Sequence, residues 1–439
     1  MPRVTYFHEF TLEDVPKGQT LLDLSIRHRI PHFHQCGGFG RCTTCRVQIL
    51  DGLSNVSPLS EAEQKVASRR GWDEFTRLAC QTRVEGDVVI RRLLEKAQDI
   101  IVLDFDEIKG GTAGEGKELD LAVLFSDIRD FTALSEQSLP YDVVHMLNRY
   151  FTAAAEPVLN NNGFIDKYIG DGILAVFGTR DESPGTACRN AVRAALGMME
   201  AIRRLGPTFE REFNIPLRIG IGIHFGTMIL GRIGHPGKRQ ITVIGDAVNT
   251  ASRVESMTKQ LGVPILLSDG VVSQIPGALR LGPPTEGPLK GKVADTVLYP
   301  CQGFVEPDTT FLVQSSFAQI AQRAEEFGVR FYANLFEAHP EFRPLFRDDM
   351  AAQTKMFMYI LSSAVRGLNR MQELVGGLRA LGKRHADYGV KRADYDEVSS
   401  AFIRTLKEFL AEEFTAELQH AWVTILGMIA ETMIEAAEN

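Results

Sequence analysis

Residues 163–178 read GFIDKYIGDGILAVFG, two short apolar runs separated by Gly170, Asp171 and Gly172. Apolar, β-branched and aromatic residues on either side of a Gly-Asp-Gly triplet predict two strands folded over a tight turn, with Asp171 at its tip. Upstream, LDLAVLFSDIRDFT (119–132) predicts a strand that stops at Asp127, where the residues turn polar. Two carboxylates at the ends of buried strands suit divalent cations, because magnesium prefers oxygen ligands and two metals can clamp both partners of a phosphoryl displacement. Strand-end aspartates are also ordinary turn residues, so the pair alone leaves a structural reading open. Downstream, RQITVIGDAVNTASRVESM (239–257) predicts a strand, a Gly-Asp turn and a helix on which Asn249 and Arg253, four apart, share a face. An amide and a guanidinium aimed the same way suit a ribose and the charge of a phosphoryl transition state. GPLKGKVADTVLYP (287–300) adds Lys290 from a loop ahead of a final strand.

Composition frames these motifs. At 439 residues the chain exceeds one ordinary core and predicts about two to four domains. Apolar residues make up 44%, charged residues 24%, and the formal net charge is −8. That balance describes a soluble globular protein with no general attraction to nucleic acid or acidic lipid. The start, MPRVTYFHEF, lacks the basic and apolar segments of a signal peptide, and no run approaches the roughly 20 apolar residues of a membrane span. No nucleic-acid partner, no membrane span and a cytoplasmic location are the expectations.

In a reducing compartment six cysteines do not predict a disulfide framework, and closely spaced thiols read as metal ligands. Residues 35–47, QCGGFGRCTTCRV, hold Cys36, Cys42 and Cys45, and Cys80 in RLACQTRV (77–84) completes a C-x5-C-x2-C-x34-C spacing. A two-iron two-sulfur cluster needs backbone amides turned toward its sulfides, which Gly37, Gly38 and Gly40 can supply. Zinc sites favour two separated pairs; structural zinc or loose thiols remain the alternative. A short helix over LLDLSIRHRI (21–30) and strands over CRVQILDG (45–52) and EGDVVIRRL (85–93) flank the loop. His28, His32 and His34 crowd the same loop and read as a polar rim rather than as Rieske-type ligands. A glycine-rich linker is expected over 96–117.

Beyond QGFVEPDTT (302–310) the pattern is helical. Phe317, Ile320, Ala324, Phe327, Phe331 and Leu335 recur at three- and four-residue intervals, as do Phe414, Leu418, Trp422, Ile425, Ile429 and Met433. In MQELVGGLRALGKRHADYGV (371–390) His385 continues the stripe of Leu374, Leu378 and Leu381, a place that suits a core histidine as well as a ligand.

These motifs resemble three known families, so a multidomain chain is expected. Residues 1–95 resemble ferredoxins of the plant and adrenodoxin type, which implies an α+β β-grasp domain holding a 2Fe-2S cluster on Cys36, Cys42, Cys45 and Cys80. Residues 118–303 resemble the class III nucleotidyl cyclases, whose homology domain is α/β and ferredoxin-like. There Asp127 and Asp171 match the aspartates that bind two Mg2+ or Mn2+ ions, and Ile128 matches the position whose carbonyl also reaches a metal. Lys167 and Thr242 match the purine-reading pair, Asn249 the ribose-orienting amide, Arg253 the transition-state arginine and Lys290 the triphosphate lysine. The resemblance implies an adenylate cyclase converting ATP to 3′,5′-cyclic AMP and pyrophosphate in a head-to-tail homodimer, each site drawing its aspartates and its Asn, Arg pair from opposite subunits. Lysine at the first purine position goes with adenine in that family. Thr242 departs from the commoner aspartate, which leaves guanylate or relaxed specificity as an alternative and implies activation by bicarbonate, as in the branch that shares this threonine.

Residues 310–439 resemble bacterial haemoglobins and the globin part of flavohaemoglobins, an all-α domain. The resemblance rests on FYANLFEAHPEFRPLF (331–346), DMAAQTKMF (349–357), LGKRHADYGV (381–390) and the helix bearing Trp422. His385 matches the proximal ligand of haem b, Tyr332 and Gln353 the distal pair, Phe346 the phenylalanine packed on the haem, and Tyr395 the tyrosine beside the proximal histidine. A distal Tyr and Gln imply a tight O2 or NO site. The whole chain is therefore expected to couple cluster redox state and haem gas binding to the cyclase, with an unidentified ferredoxin reductase as electron donor. The alternative is a ferredoxin-fed globin acting as a nitric-oxide dioxygenase, with the cyclase as reporter.

Overall fold

The computed structural model describes residues 2–7, 10–28, 30, 32, 34, 38, 40, 43–70, 72–93, 116–180, 182–213, 216–235, 238–287, 296–346 and 349–438. Cys36, Cys42, Lys290 and most of the expected linker lie outside these. The chain divides into two compact units, 1–115 with 234–241, and 116–233 with 242–439, so the cyclase-like and globin-like segments share one unit.

In the first unit the elements run β1 (Val4–Tyr6), β2 (Phe10–Leu12), α1 (Leu21–Arg27), β3 (Arg46–Asp51), α2 (Glu61–Arg70), β4 (Thr76–Leu78) and β5 (Val88–Arg92). The sheet order is β2-β1-β5-β3-β4, with β1 and β5 parallel. Thr20 caps α1, its hydroxyl accepting from Asp23 N at 3.1 Å, and Leu21, Leu22 and Leu24 enter the core with Val47, Leu78 and Ile90. A buried ion pair anchors the end of β4. Glu63 accepts from Arg77 Nε at 3.1 Å, Leu78 N at 3.0 Å and Thr82 Oγ1 at 3.1 Å. Removing either partner would strand a buried charge at a cost of about 3–5 kcal/mol, so the pair fixes the turn that carries Cys80. His32 is not the rim residue expected. It is buried, its Nδ1 2.8 Å from Ser25 Oγ, and burial lowers its pKa to about 4. An imidazole inside an apolar wall is held neutral.

The chain continues with β6 (Lys117–Ile128), α3 (Phe131–Gln137), α4 (Pro140–Asn160), β7 (Phe164–Ile169), β8 (Gly172–Phe177), α5 (Pro184–Phe213), β9 (Ile219–His235), β10 (Lys238–Ile244) and α6 (Asp246–Leu261), all in the second unit except residues 234–241 of β9 and β10. It continues with β11 (Ile265–Ser268), α7 (Asp269–Gln274), β12 (Leu279–Leu281), β13 (Thr285–Gly287) and β14 (Thr296–Phe304). The sheet order is β12-β14-β11-β9-β6-β8-β7, with β10 on β9 and β13 on β14. Central β6 lies antiparallel to both β8 and β9, and Leu121 to Leu124 are all buried because both faces of the sheet are covered there. Tyr150, Ala154 and Val158 of α4 share a core with Ala191, Ala195 and Met198 of α5. Small residues on α5 let the two helices approach closely.

Only residues 305–308 separate β14 from the helices α8 (Thr309–Ala321), α9 (Ala324–Ala338), α10 (Met350–Arg366), α11 (Met371–Asp387), α12 (Arg392–Leu410) and α13 (Ala416–Glu438). Phe317, Phe327, Phe331, Phe402 and Trp422 form their core, and the Trp422 indole donates to Ser316 Oγ at 2.9 Å. The expected stripe on α11 is partly realised: Leu378 is buried and His385 half-buried. Among the described residues no helix is long and apolar enough to cross a membrane.

Candidate functional site

The β6 strand and the β7–β8 turn bring the two expected carboxylates together. In register, Asp127 pairs with Gly220 of β9, and the preceding Ser126 pairs with Ile173 of β8, just past the turn that holds Asp171. A Cβ added to Gly172 would lie 3.5 Å from Asp127 Oδ1, so the hairpin tip abuts that carboxylate. Asp127 is raised to a pKa of about 7 by burial first, then by its hydrogen bond to Asp171 and the charges of Asp171 and Glu255, while the Ile128 N–H opposes the rise. Two crowded carboxylates share a proton when no cation neutralises them. Their oxygens and charge therefore fit a hard divalent ion.

Close packing sets the orientation of α6. A Cβ on Gly222 of β9 would sit 2.1 Å from Glu255 N, so only glycine lets the helix lie this near the sheet. Arg129 then donates to Glu255 Oε1 at 3.3 Å and to Thr258 Oγ1. Glu255 thus lies on the side of α6 toward Asp127 and Asp171 of its own chain. At about 100° per residue, Arg253 lies roughly 160° and Asn249 roughly 120° around the helix from Glu255. The expected pair is turned away from Asp127. Asn249 is exposed, and Arg253 Nη1 is buried with no hydrogen-bond partner. Such a guanidinium nitrogen stays costly until an acceptor reaches it.

The expected purine pair does meet. Lys167 Nζ donates to Thr242 Oγ1 at 2.8 Å, and Thr242 Oγ1 donates to Asp166 Oδ2 at 2.9 Å. Lys167 Nζ also lies 3.2 Å from Asp166 Oδ2. Asp166 is a residue that the motifs did not single out. The β7–β8 register shifts between Ile165 and Lys167, leaving Asp166 as the extra residue of a bulge. A bulge allows two successive side chains to reach one atom, which a regular strand forbids. The available signal was an acid beside Lys167 that breaks the apolar alternation of FIDKYI.

In the first unit Cys45 and Cys80 are buried, and the Gln81 amide lies 3.6 Å from Cys80 Sγ and 3.2 Å from Gly38 O. Gly38 adopts φ +94°, a conformation that favours glycine, and a Cβ there would lie 3.9 Å from Cys80 Cβ. The loop therefore returns to the fourth thiol. An amide donor beside a buried thiolate suits an iron–sulfur cluster.

Among the helices, the expected haem residues form two groups. Tyr395 OH lies 3.3 Å from His385 Nδ1, which leaves Nε2 for a metal, the arrangement that orients an axial imidazole. Gln353 Nε2 donates to Tyr332 OH at 3.3 Å, and Phe346 meets the Tyr332 ring edge-on with centroids 5.4 Å apart. A cavity of about 320 Å³ opens beside Tyr332, lined also by Phe336, Met350 and Thr354. His385 does not line that cavity.

A polar junction joins the two halves of the second unit. Asn369, in the turn between α10 and α11, donates to Asn160 O and Asn161 Oδ1, each at 3.0 Å, and accepts from Arg193 Nη1 at 2.9 Å. The Gln314 amide adds a bond to Asn160 O at 3.0 Å. Helix α4 ends at Asn160, so globin-side amides satisfy a carbonyl that a helix terminus otherwise leaves orphaned.

Comparison with known proteins identifies each part. Residues 9–85 match the 2Fe-2S iron-sulfur cluster binding domain, residues 116–280 the adenylate and guanylate cyclase catalytic domain, and residues 329–433 the globin family. An adenylate cyclase of Anabaena cylindrica is 38% identical over 159 residues, which are 35% of this chain and 30% of that protein. Adenylate cyclase 1 of Rhizobium meliloti (strain 1021) is 33% identical over 202 residues, 46% of this chain and 30% of the relative. A receptor-type guanylate cyclase of Caenorhabditis elegans is 32% identical over 198 residues, 45% of this chain and 17% of its own length. The chain thus spans under a third of these curated relatives. The solved adenylyl cyclase CyaB from P. aeruginosa aligns with a TM-score of 0.40 and 29% identity, covering 44% of this chain and 97% of that one. The chain joins, in order, a 2Fe-2S ferredoxin-type domain, an adenylate and guanylate cyclase catalytic domain and a globin domain.

Proposed function

We propose that the protein is a homodimeric adenylate cyclase that converts ATP to 3′,5′-cyclic AMP and pyrophosphate, its output biased by haem gas binding and cluster redox state. The observation that carries the catalytic reading is the meeting of the Asp127 carboxylate with the hairpin tip that bears Asp171, set against an Asn249, Arg253 stripe on the far side of α6. In this reading Asp127, Asp171 and the Ile128 carbonyl would hold two Mg2+ or Mn2+ ions, which would supply charge neutralisation at the phosphates and a more acidic ribose 3′-hydroxyl. Asn249 and Arg253 of one subunit serve the carboxylates of the other. Asn249 orients the ribose so that its 3′-oxygen attacks the α-phosphorus in line as the bond to pyrophosphate breaks, and Arg253 donates to the phosphate oxygens as charge builds. Lys290 is assigned to the triphosphate and Lys167 with Thr242 to the adenine. Guanylate cyclase relatives make GTP the competing substrate.

Regulation is supported by the junction. Asn369 links the helix carrying Gln353 to the helix carrying His385, and it grips Asn160 and Asn161, just ahead of the strand that bears Lys167 and leads to Asp171. His385 would hold haem, which would supply the gas-binding iron, and Tyr332 and Gln353 are the residues assigned to donate to its ligand. Cys45 and Cys80, with Cys36 and Cys42, would hold the 2Fe-2S cluster, which supplies a one-electron store fed by an external reductase.

The test is cyclic AMP formation by anaerobically purified, cofactor-loaded protein in oxidised, dithionite-reduced and reduced-plus-oxygen states, with magnesium or manganese. A several-fold difference between states is expected. Equal rates would leave a cyclase without this coupling; no cyclic product from ATP or GTP in any state would overturn the cyclase reading.

A further inference from the structure

A hydroxyl at position 242 discriminates little by itself, because it can donate to the carbonyl of guanine or accept from the exocyclic amine of adenine. Its neighbours remove that freedom. Lys167 Nζ lies 2.8 Å from Thr242 Oγ1, and an ammonium only donates. Asp166 Oδ2 lies 2.9 Å away on the other side, and a carboxylate only accepts, so the single hydroxyl proton is spoken for. One lone pair on Thr242 remains. Of the three Lys167 protons, one faces Thr242, one faces Asp166 Oδ2 at 3.2 Å, and one is left. The corner therefore offers one acceptor and one donor side by side. Adenine presents the complement, an amine donor next to a ring-nitrogen acceptor, whereas a 6-oxo purine presents a carbonyl next to an N–H, reversed at both positions.

The state of Asp166 shows that it is more than a core residue. Its side chain is wholly buried while Lys167 is 42% exposed, and its Oδ1 has no hydrogen-bond partner. Burial raises its pKa, and hydrogen bonds from Thr242, Lys167 and Val243 pull the other way. A strand built for stability alone would place an apolar residue there, since a buried and incompletely satisfied carboxylate is destabilising.

We propose that Asp166 is a specificity-determining positioning residue: by holding the Thr242 proton it makes that hydroxyl acceptor-only, so the site takes 6-amino purine nucleotides and refuses 6-oxo ones. This rests on the cyclase reading above. The experiment measures kcat/KM of the full-length protein for ATP, GTP and inosine triphosphate, in wild type, Asp166→Ala, Thr242→Val and the double variant.

In wild type, inosine triphosphate should be refused as GTP is, since the 6-oxo group alone decides. Asp166→Ala frees the hydroxyl to donate, and the ATP-to-inosine-triphosphate ratio should fall about tenfold or more. In the Thr242→Val background, adding Asp166→Ala should leave the ratio unchanged, because the residue through which Asp166 acts is gone. Equal losses on all three substrates in Asp166→Ala, or a ratio change that persists without the Thr242 hydroxyl, would overturn the proposal. So would wild-type turnover of inosine triphosphate at the ATP rate, a measurement that decides even if Asp166→Ala does not fold. Absence of any cyclic product from wild type would instead sink the cyclase reading.

Discussion

Two corners of one catalytic sheet are built in opposite ways. Asp166, Lys167 and Thr242 close on one another within a single chain, every polar contact among them at 3.2 Å or less. Asn249 is exposed and Arg253 Nη1 has no hydrogen-bond partner, both carried on a helix whose other side, through Glu255, takes Arg129 of its own chain. The difference separates recognition from chemistry. In the proposed dimer the base is read by one chain, whereas the phosphoryl transition state would draw on the stripe of one chain and the carboxylates of another.

The largest effect that could break this contrast comes from mixing variants. Asp127→Ala and Arg253→Ala should each lower kcat by about 100-fold or more. An equal mixture should recover about a quarter of the wild-type rate, because half of the dimers hold one intact site. A mixture as inactive as its components would put all the chemistry in one chain. Lys167→Ala tests the closed corner and should raise KM for ATP roughly tenfold with a smaller change in kcat, read from saturation curves at fixed enzyme.

Acidity offers a third probe. Asp127, with its pKa pushed to about 7, would have to give up a proton to bind a cation, so magnesium affinity is expected to be full well above pH 7 and to fall below it. The apparent magnesium constant should weaken by up to about tenfold per pH unit from 7 to 6, measured as rate against magnesium at each pH. The same raised pKa means the metal-free fold carries a penalty above the ordinary carboxylate range that is relieved as the pair protonates on acidification. The smallest effect is expected at the junction. Asn369→Ala should leave the basal rate within about twofold while shrinking the difference between haem states; an unchanged difference would mean that the gas signal travels elsewhere.

Much of the open corner was legible in the chain, because chemistry that needs a strand-end carboxylate or an i, i+4 amide and guanidinium leaves its spacing in the residues. Asp127, Asp171, Asn249 and Arg253 stood out that way. Asp166 did not, because its role comes from a bulge in the pairing of β7 with β8; the acid that breaks the apolar alternation of FIDKYI marks the place but not the pairing. The junction was invisible for another reason: Asn160, Asn161, Gln314 and Asn369 are ordinary surface types, and only distant pairing gives them work. His32 misled because a histidine beside a glycine-rich loop reads as polar, while its burial depends on Tyr6 and Ser25 arriving from other elements.

The connection at residues 305–308 has a mechanical consequence. Asp308 caps α8 by accepting from Phe311 N at 3.0 Å, and the same carboxylate takes Arg193 Nε at 2.8 Å and Arg189 Nη1 at 3.2 Å from α5. A joint so short and so gripped acts as a rivet. In the proposed coupling, a torque developed by the helical half would reach α5 and the sheet beneath it through this joint. A few glycines inserted at 306 would put slack ahead of that rivet while leaving the Asp308 and Asn369 contacts in place, so only the covalent path between the two halves would loosen.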